Sequence, residues 1–139
     1  CFLDDVTERN LEELGGMNLM VVDADGTVRT PRLTGTILEG CTRSAIIRLL
    51  RDSGRNVVEE TISLQGLLAD IESGRVSEVF ACGTAAVVVT LGHLKGEGFD
   101  ARIEGSEVTR QIHDRLTAIQ TGRAEDPYGW MYQLVPPRS

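Results

Sequence analysis

Residues 35–43 read Gly-Thr-Ile-Leu-Glu-Gly-Cys-Thr-Arg, a glycine-bounded turn leading into a helical pattern. A helix beginning there presents the N–H groups of Cys41 and Thr42 at the positive end of its dipole, which suits one phosphate monoester. The same junction also forms wherever a loop simply enters a helix. A second stretch, Phe80-Ala-Cys-Gly-Thr84-Ala85-Ala86, ends an apolar run in small residues and one hydroxyl. Small side chains let a ligand approach the backbone, and Thr84 can donate a hydrogen bond. Third, Glu12 and Glu13 stand just before Gly15-Gly16. A glutamate held beside such a turn can meet a ligand that the glycines let come close, or it is a charged loop residue. Fourth, Asp23-Ala-Asp25-Gly26-Thr27 follows an apolar strand pattern. Two carboxylates there could do nucleophilic and acid–base work, or Asp25-Gly26 could turn a hairpin of type I′.

The fourth stretch resembles the first motif of the haloacid-dehalogenase phosphatases, in which the two aspartates act with Mg²⁺. That chemistry needs a later lysine and a distal carboxylate pair. Lys95, the single lysine, falls in an expected turn, and Asp114 and Asp126 stand apart. An EF-hand also fails, because its closing glutamate would fall on Arg32. The glycines at 35 and 40 have the spacing of a nucleotide phosphate loop without its lysine, which argues against ATP and GTP. No Cys-x-x-Cys pair is present, so zinc and redox sites are not expected; Cys82 reads as a buried, inert thiol. His93 and His113 read as lone surface residues.

The elements that must position these residues follow from periodicity. Helices are expected from a Thr42 cap to about Asp52, from a Ser63 cap to Gly74, and from a Ser106 cap to Gly122. Strands are expected over Met17–Val22, Val57–Ile62, Val76–Ala81, Ala86–Leu91, Phe99–Ile103 and Trp130–Val135. Hairpin turns are expected at Asp25-Gly26 and Gly96-Glu97-Gly98. The mixture implies an α/β or α+β fold, and 139 residues with no linker or repeat imply a single domain over 1–139. With 41% apolar and 25% charged residues the chain has globular composition, and no apolar run is long enough to span a membrane. Its net charge of −7, with one basic cluster at Arg43, Arg48, Arg51 and Arg55, argues against nucleic acid and anionic membranes as partners. Three widely spaced cysteines, Cys1, Cys41 and Cys82, point to reduced thiols and a cytoplasmic setting.

Taken in order, Glu12–Asn18 (E-E-L-G-G-M-N), Leu33–Arg43 (L-T-G-T-I-L-E-G-C-T-R), Glu78–Ala85 (E-V-F-A-C-G-T-A), Ile119–Gly122 and Trp130-Met131 resemble one family. They are similar to the C-terminal part of the branched-chain amino-acid aminotransferases, fold type IV among pyridoxal-phosphate enzymes. The resemblance implies the large C-terminal domain of a two-domain enzyme, a mixed barrel-like sheet with helices packed outside. It implies pyridoxal 5′-phosphate as cofactor, held by Glu13 at the pyridinium nitrogen, Leu38 on the ring, and Gly40, Cys41, Thr42 and Thr84 at the phosphate. Gly16 and Ala85 match positions whose backbone receives the substrate carboxylate, and Met17 would border the aliphatic side-chain pocket. Implied partners are branched-chain amino acids, 2-oxo acids and 2-oxoglutarate, within a homodimer. D-amino-acid aminotransferase and aminodeoxychorismate lyase share these groups and remain alternatives. The lysine that bonds the cofactor in this family lies upstream of the matched stretch, and no residue here corresponds to it. With Cys1 as an abrupt start, the expectation is a piece of a longer polypeptide that is inactive alone.

Overall fold

The computed structural model describes residues 2–3, 9–35, 37–84 and 87–134. In chain order the elements are β1 (Phe2–Leu3), β2 (Asn10–Leu14), β3 (Met17–Asp23), β4 (Val28–Pro31), α1 (Cys41–Asp52), β5 (Val57–Glu60) and β6 (Ile62–Ser63). There follow α2 (Leu64–Glu72), β7 (Val76–Gly83), β8 (Val87–Thr90), β9 (His93–Gly96), β10 (Phe99–Arg102) and α3 (Glu107–Gln120). The fold is a mixed α/β arrangement, as the sequence implied.

Two near-continuous apolar strands form its centre. β3 and β7 pair antiparallel from Asn18↔Cys82 to Asp23↔Val76, and burial on both faces explains why neither alternates with polar residues. Side chains of period two then supply two cores. Met20, Val22, Phe80 and Cys82 meet Ile46, Leu50, Ile112, Leu116 and Ile119 of α1 and α3. Leu19, Val21 and Val79 meet Leu67 of α2 with Leu11, Ile62 and Ile103. Helices therefore cover both faces of the sheet. β4 and β5 are parallel, Val28 opposite Val57, with α1 as their crossover; the other sheet pairings are antiparallel.

Several local expectations change. α1 begins one residue before Thr42, with Gly40 as its N-cap at φ 60°. Ser63 does cap α2, its Oγ accepting from the Gly66 N–H at 3.0 Å. Ser106 occupies the N-cap position of α3, but its side chain makes no capping bond; a carboxylate from β7 does that work instead, as shown below. At Asp25-Gly26 only Gly26 has positive φ, 89°. Its N–H bonds the Asp23 carbonyl at 2.9 Å and the Asp23 N–H bonds the Thr27 carbonyl at 2.8 Å. This is a three-residue loop closed by a left-handed glycine rather than a type I′ turn. Residues 130–134 form no strand; Val135 lies outside the described residues. Trp130 instead stacks on Tyr128, ring centroids 4.1 Å apart, and Asp126 accepts the Met131 and Tyr128 N–H groups at 2.7 and 3.1 Å. Strands β2, β4 and β9 were not anticipated, and Lys95 lies on β9 rather than in a turn.

Candidate functional site

Gly15 and Gly16, at φ 57° and 84°, make the two-residue turn between β2 and β3. Both dihedrals require glycine, and together they are the type I′ signature that matches strand twist. Leu14 then pairs with Met17 and Glu13 with Asn18. Against β1, Phe2 opposes Glu13 and Leu3 opposes Leu11, so Glu12 is the extra residue of a bulge. A bulge shifts the side-chain phase by one residue. That lets Leu11 join the α2-side core while Glu13 shares a face with Asn18. Since Asn18 also pairs with Cys82, Glu13, Asn18 and Cys82 form a row across three strands.

Asn18 carries the row to the start of α1. It is 6% exposed, and its Nδ2 donates to the Leu38 carbonyl at 2.9 Å. A Cβ at Gly40 would sit 2.5 Å from Asn18 Oδ1, so position 40 needs glycine for space as well as for its φ. The first intrahelical bond of α1 runs from the Ser44 N–H to the Gly40 carbonyl at 3.1 Å. No side chain caps the helix and its first turn holds no acid. Among the described residues, nothing accepts from the Cys41 and Thr42 N–H groups. Four unpaired donors and half a positive charge at a helix start attract an anion. Leu38, 71% exposed, stands beside this end.

Arg43 supports the cradle from below. Buried to 3% exposure, it donates to the Pro31 carbonyl at 3.0 Å and to Glu59 at 2.9 Å. The hydrogen bond from Arg43 holds the Glu59 carboxyl below its ordinary value against the opposing effect of burial, and Arg51 adds to it. Arg48 lies over the Tyr128 ring at 4.7 Å. The expected basic cluster is thus engaged within the chain. A cavity of about 680 Å³ opens outward from the same helix start, lined among others by Glu39, Gly40, Cys41, Thr42, Arg48 and Trp130. Neither Glu13 nor Thr84 lines it, so it meets the site only at its anion end.

Thr84 is exposed and begins the turn after β7, two residues beyond Cys82. Ala85 lies outside the described residues. Val87, which resumes the chain, is a β-branched residue at φ 55°, a conformation that costs about 1–3 kcal/mol. Its pairing with Gly83 and its packing on the α1-side core hold it there. Met17 is set apart: alternation along β3 turns it to the face opposite Asn18, where it covers Gly83. Gly16 is exposed at the turn. Burial pushes the Cys82 thiol up to about 12, with Arg43 opposing slightly, which leaves it unreactive.

The remaining candidates fall away. Asp23 is buried and bound by Arg29 at 2.7 Å, and Arg29 also meets Asp70 at 3.0 Å and Glu60 at 3.5 Å. A carboxylate so engaged is not an open nucleophile. Asp25 accepts the Thr27 N–H at 2.8 Å, which holds its carboxyl below the ordinary value. The histidines are on the surface as expected, yet not unpaired: His93 meets Asp100 at 2.7 Å and His113 meets Asp114 at 3.2 Å. Among the described residues no group of three or more His, Cys, Asp or Glu is placed to hold a metal ion.

The open donors of α1, the glycine-only approach at position 40 and a carboxylate on the strand next to Asn18 are the chemical features of this region. The family model of the class IV amino-transferases matches residues 6–92. The chain belongs to this family. A probable branched-chain-amino-acid aminotransferase of Streptomyces coelicolor is 44% identical over 138 residues, covering 97% of this chain and 38% of that protein. The branched-chain amino acid aminotransferase from Escherichia coli is 32% identical with TM-score 0.74, over 91% of this chain and 40% of its own. An aminotransferase from Brucella abortus, solved with bound PLP, is 27% identical with TM-score 0.64, over 85% of this chain and 38% of its own. The chain thus spans under half the length of these class IV relatives. Two residues that tie the start of α1 to the sheet lay unassigned in the sequence, Asn18 and Arg43. The signal for the first was a polar residue inside an otherwise apolar strand; for the second, a basic residue in the first turn of a helix without acids.

Proposed function

We propose that the protein to which these residues belong moves the amino group of leucine, isoleucine or valine to 2-oxoglutarate with pyridoxal 5′-phosphate. The observation that carries this reading is the uncapped start of α1, tied by Asn18 to the strand bearing Glu13. Pyridoxal phosphate, when bound, supplies an electron-withdrawing ring that stabilises negative charge on the substrate Cα. The Cys41 and Thr42 N–H groups bind the phosphate, and the Thr84 hydroxyl donates to it. Glu13 holds a proton at the ring nitrogen, because a carboxylate beside that atom favours its charged form. Leu38 offers the ring an apolar surface. The Gly16 backbone, with that of Ala85, receives the substrate carboxylate beside an aliphatic pocket, from which Met17 is set apart on the opposite face of β3. Such a pocket separates substrates by about 1–3 kcal/mol per methylene.

No residue here matches the family's cofactor-bonding lysine, so the 139-residue chain acts as the cradling part of a larger enzyme and turns over nothing alone. That enzyme is a homodimer of the cytoplasm in this reading. No helix among the described residues is long and apolar enough to cross a membrane. The test compares the 139-residue chain with a full-length relative-sized protein carrying it. The longer protein should transaminate leucine, isoleucine and valine with 2-oxoglutarate, and Glu13→Gln should cut its rate on the order of 100-fold. Turnover by the short chain, or a longer protein indifferent to these amino acids, would refute the reading.

A further inference from the structure

We propose that Asn18 is the positioning residue that fixes the distance between the phosphate cradle and the ring-nitrogen carboxylate; this rests on the pyridoxal-phosphate reading above. β3 is buried along its length, and Asn18 is the one amide within it. Burying an amide is unfavourable unless it finds partners. This one reaches across 20 residues of sequence to the Leu38 carbonyl, at 2.9 Å. Its Oδ1 fills the place that a Cβ at Gly40 would occupy. One side chain therefore sets both the carbonyl direction at 38 and the close approach at 40. Those two contacts fix where the start of α1 sits relative to β3.

The other end of the spacing is set by strand register. In a two-residue hairpin the pair next to the turn exchanges backbone bonds, and the following pair does not. Glu13 and Asn18 are that second pair, whose side chains come closest. On the opposite side Cys82 is paired with the same residue, and Thr84 follows two residues on. Asn18 neighbours Glu13 across the strand pair and bonds the backbone of the turn before α1, while not itself being one of the groups expected to meet ligand. It acts on their separation.

That role has its own signature. A ligand spanning two subsites gains affinity only when their spacing matches its length. Asn18→Leu should raise the Kd for pyridoxal 5′-phosphate at least 10-fold. The Kd values for inorganic phosphate alone and for pyridoxal alone should change less than threefold. The 139-residue chain can report this directly. Trp130, its single tryptophan, lines the cavity beside Gly40 to Thr42 and should be quenched by the ring, while amide NMR shifts of Cys41 and Thr42 report phosphate. If Asn18→Leu does not fold, Asn18→Ala removes the same amide without added bulk and should give the same pattern. A parallel loss for all three ligands, or a folded variant that keeps its pyridoxal-phosphate affinity within threefold, overturns the proposal. A longer protein carrying this chain that binds no pyridoxal phosphate overturns the functional reading itself.

Discussion

Two helices enter this fold with their positive ends directed at the same sheet, and the chain treats them differently. At α3 the Glu78 carboxylate, 3% exposed, accepts the Val108 and Thr109 N–H groups at 2.8 Å each and the Thr109 hydroxyl at 2.7 Å. Gly105 has no room for a Cβ against the Ser77 carbonyl, so α3 enters close against β7. At α1, among the described residues, the donors meet no side chain, no acid stands in the first turn, and Arg43 is held from behind by Glu59. The dipole physics is identical. A helix start filled by the chain's own carboxylate serves stability; one supported from behind yet left open is available to an outside anion.

The comparison can be broken at either helix. Removing the acid in Glu78→Ala leaves buried donors unpaired and should cost about 3 kcal/mol in denaturant unfolding. A loss below about 1 kcal/mol would mean that α3 does not depend on that acid. At α1, Gly40→Ala forces a left-handed alanine against Asn18 and should cost about 2 kcal/mol, read from the same unfolding curves. Supplying the missing acid with Thr42→Glu should stabilise the fold by about 0.5 kcal/mol while weakening pyridoxal-phosphate binding measured by Trp130 fluorescence. Opposite signs for stability and affinity separate an anion site from a merely unfinished cap. The smallest effect concerns the support. Glu59 is held below its ordinary value by Arg43, so its contribution is fully present above its unfolded value. It is lost as pH falls through the lower folded one. Between about pH 5 and pH 3 the wild type should lose stability more steeply than Glu59→Gln.

Much of this was legible because it is local. The apolar runs of β3 and β7, the stripes of α1 and α3, and the Ser63 cap each follow from period and residue type. β2 and β4 were not legible because their polar residues answer distant partners. Glu13 shares a face with Asn18 through a bulge at Glu12 that only pairing with β1 defines. Arg29 is buried in β4 because Asp23 and Asp70 reach it from β3 and α2; together they raise its ordinary value despite the opposing effect of burial. Trp130 has strand propensity, yet a stack on Tyr128 and the Asp126 carboxylate bend its segment into a loop.

The sequence by itself determined which residues have the chemistry: a glutamate beside two glycines, a glycine entering a helix, a hydroxyl after small residues, in an order that resembles one family. Which strands and loops lie side by side was decided by tertiary structure. A bulge turns Glu13 to the face of Asn18, strand register pairs the two, and one amide–carbonyl bond ties Asn18 to the loop before α1. Period and propensity act between neighbours along the chain, whereas that bond joins residues 20 apart and exists only once the sheet has formed.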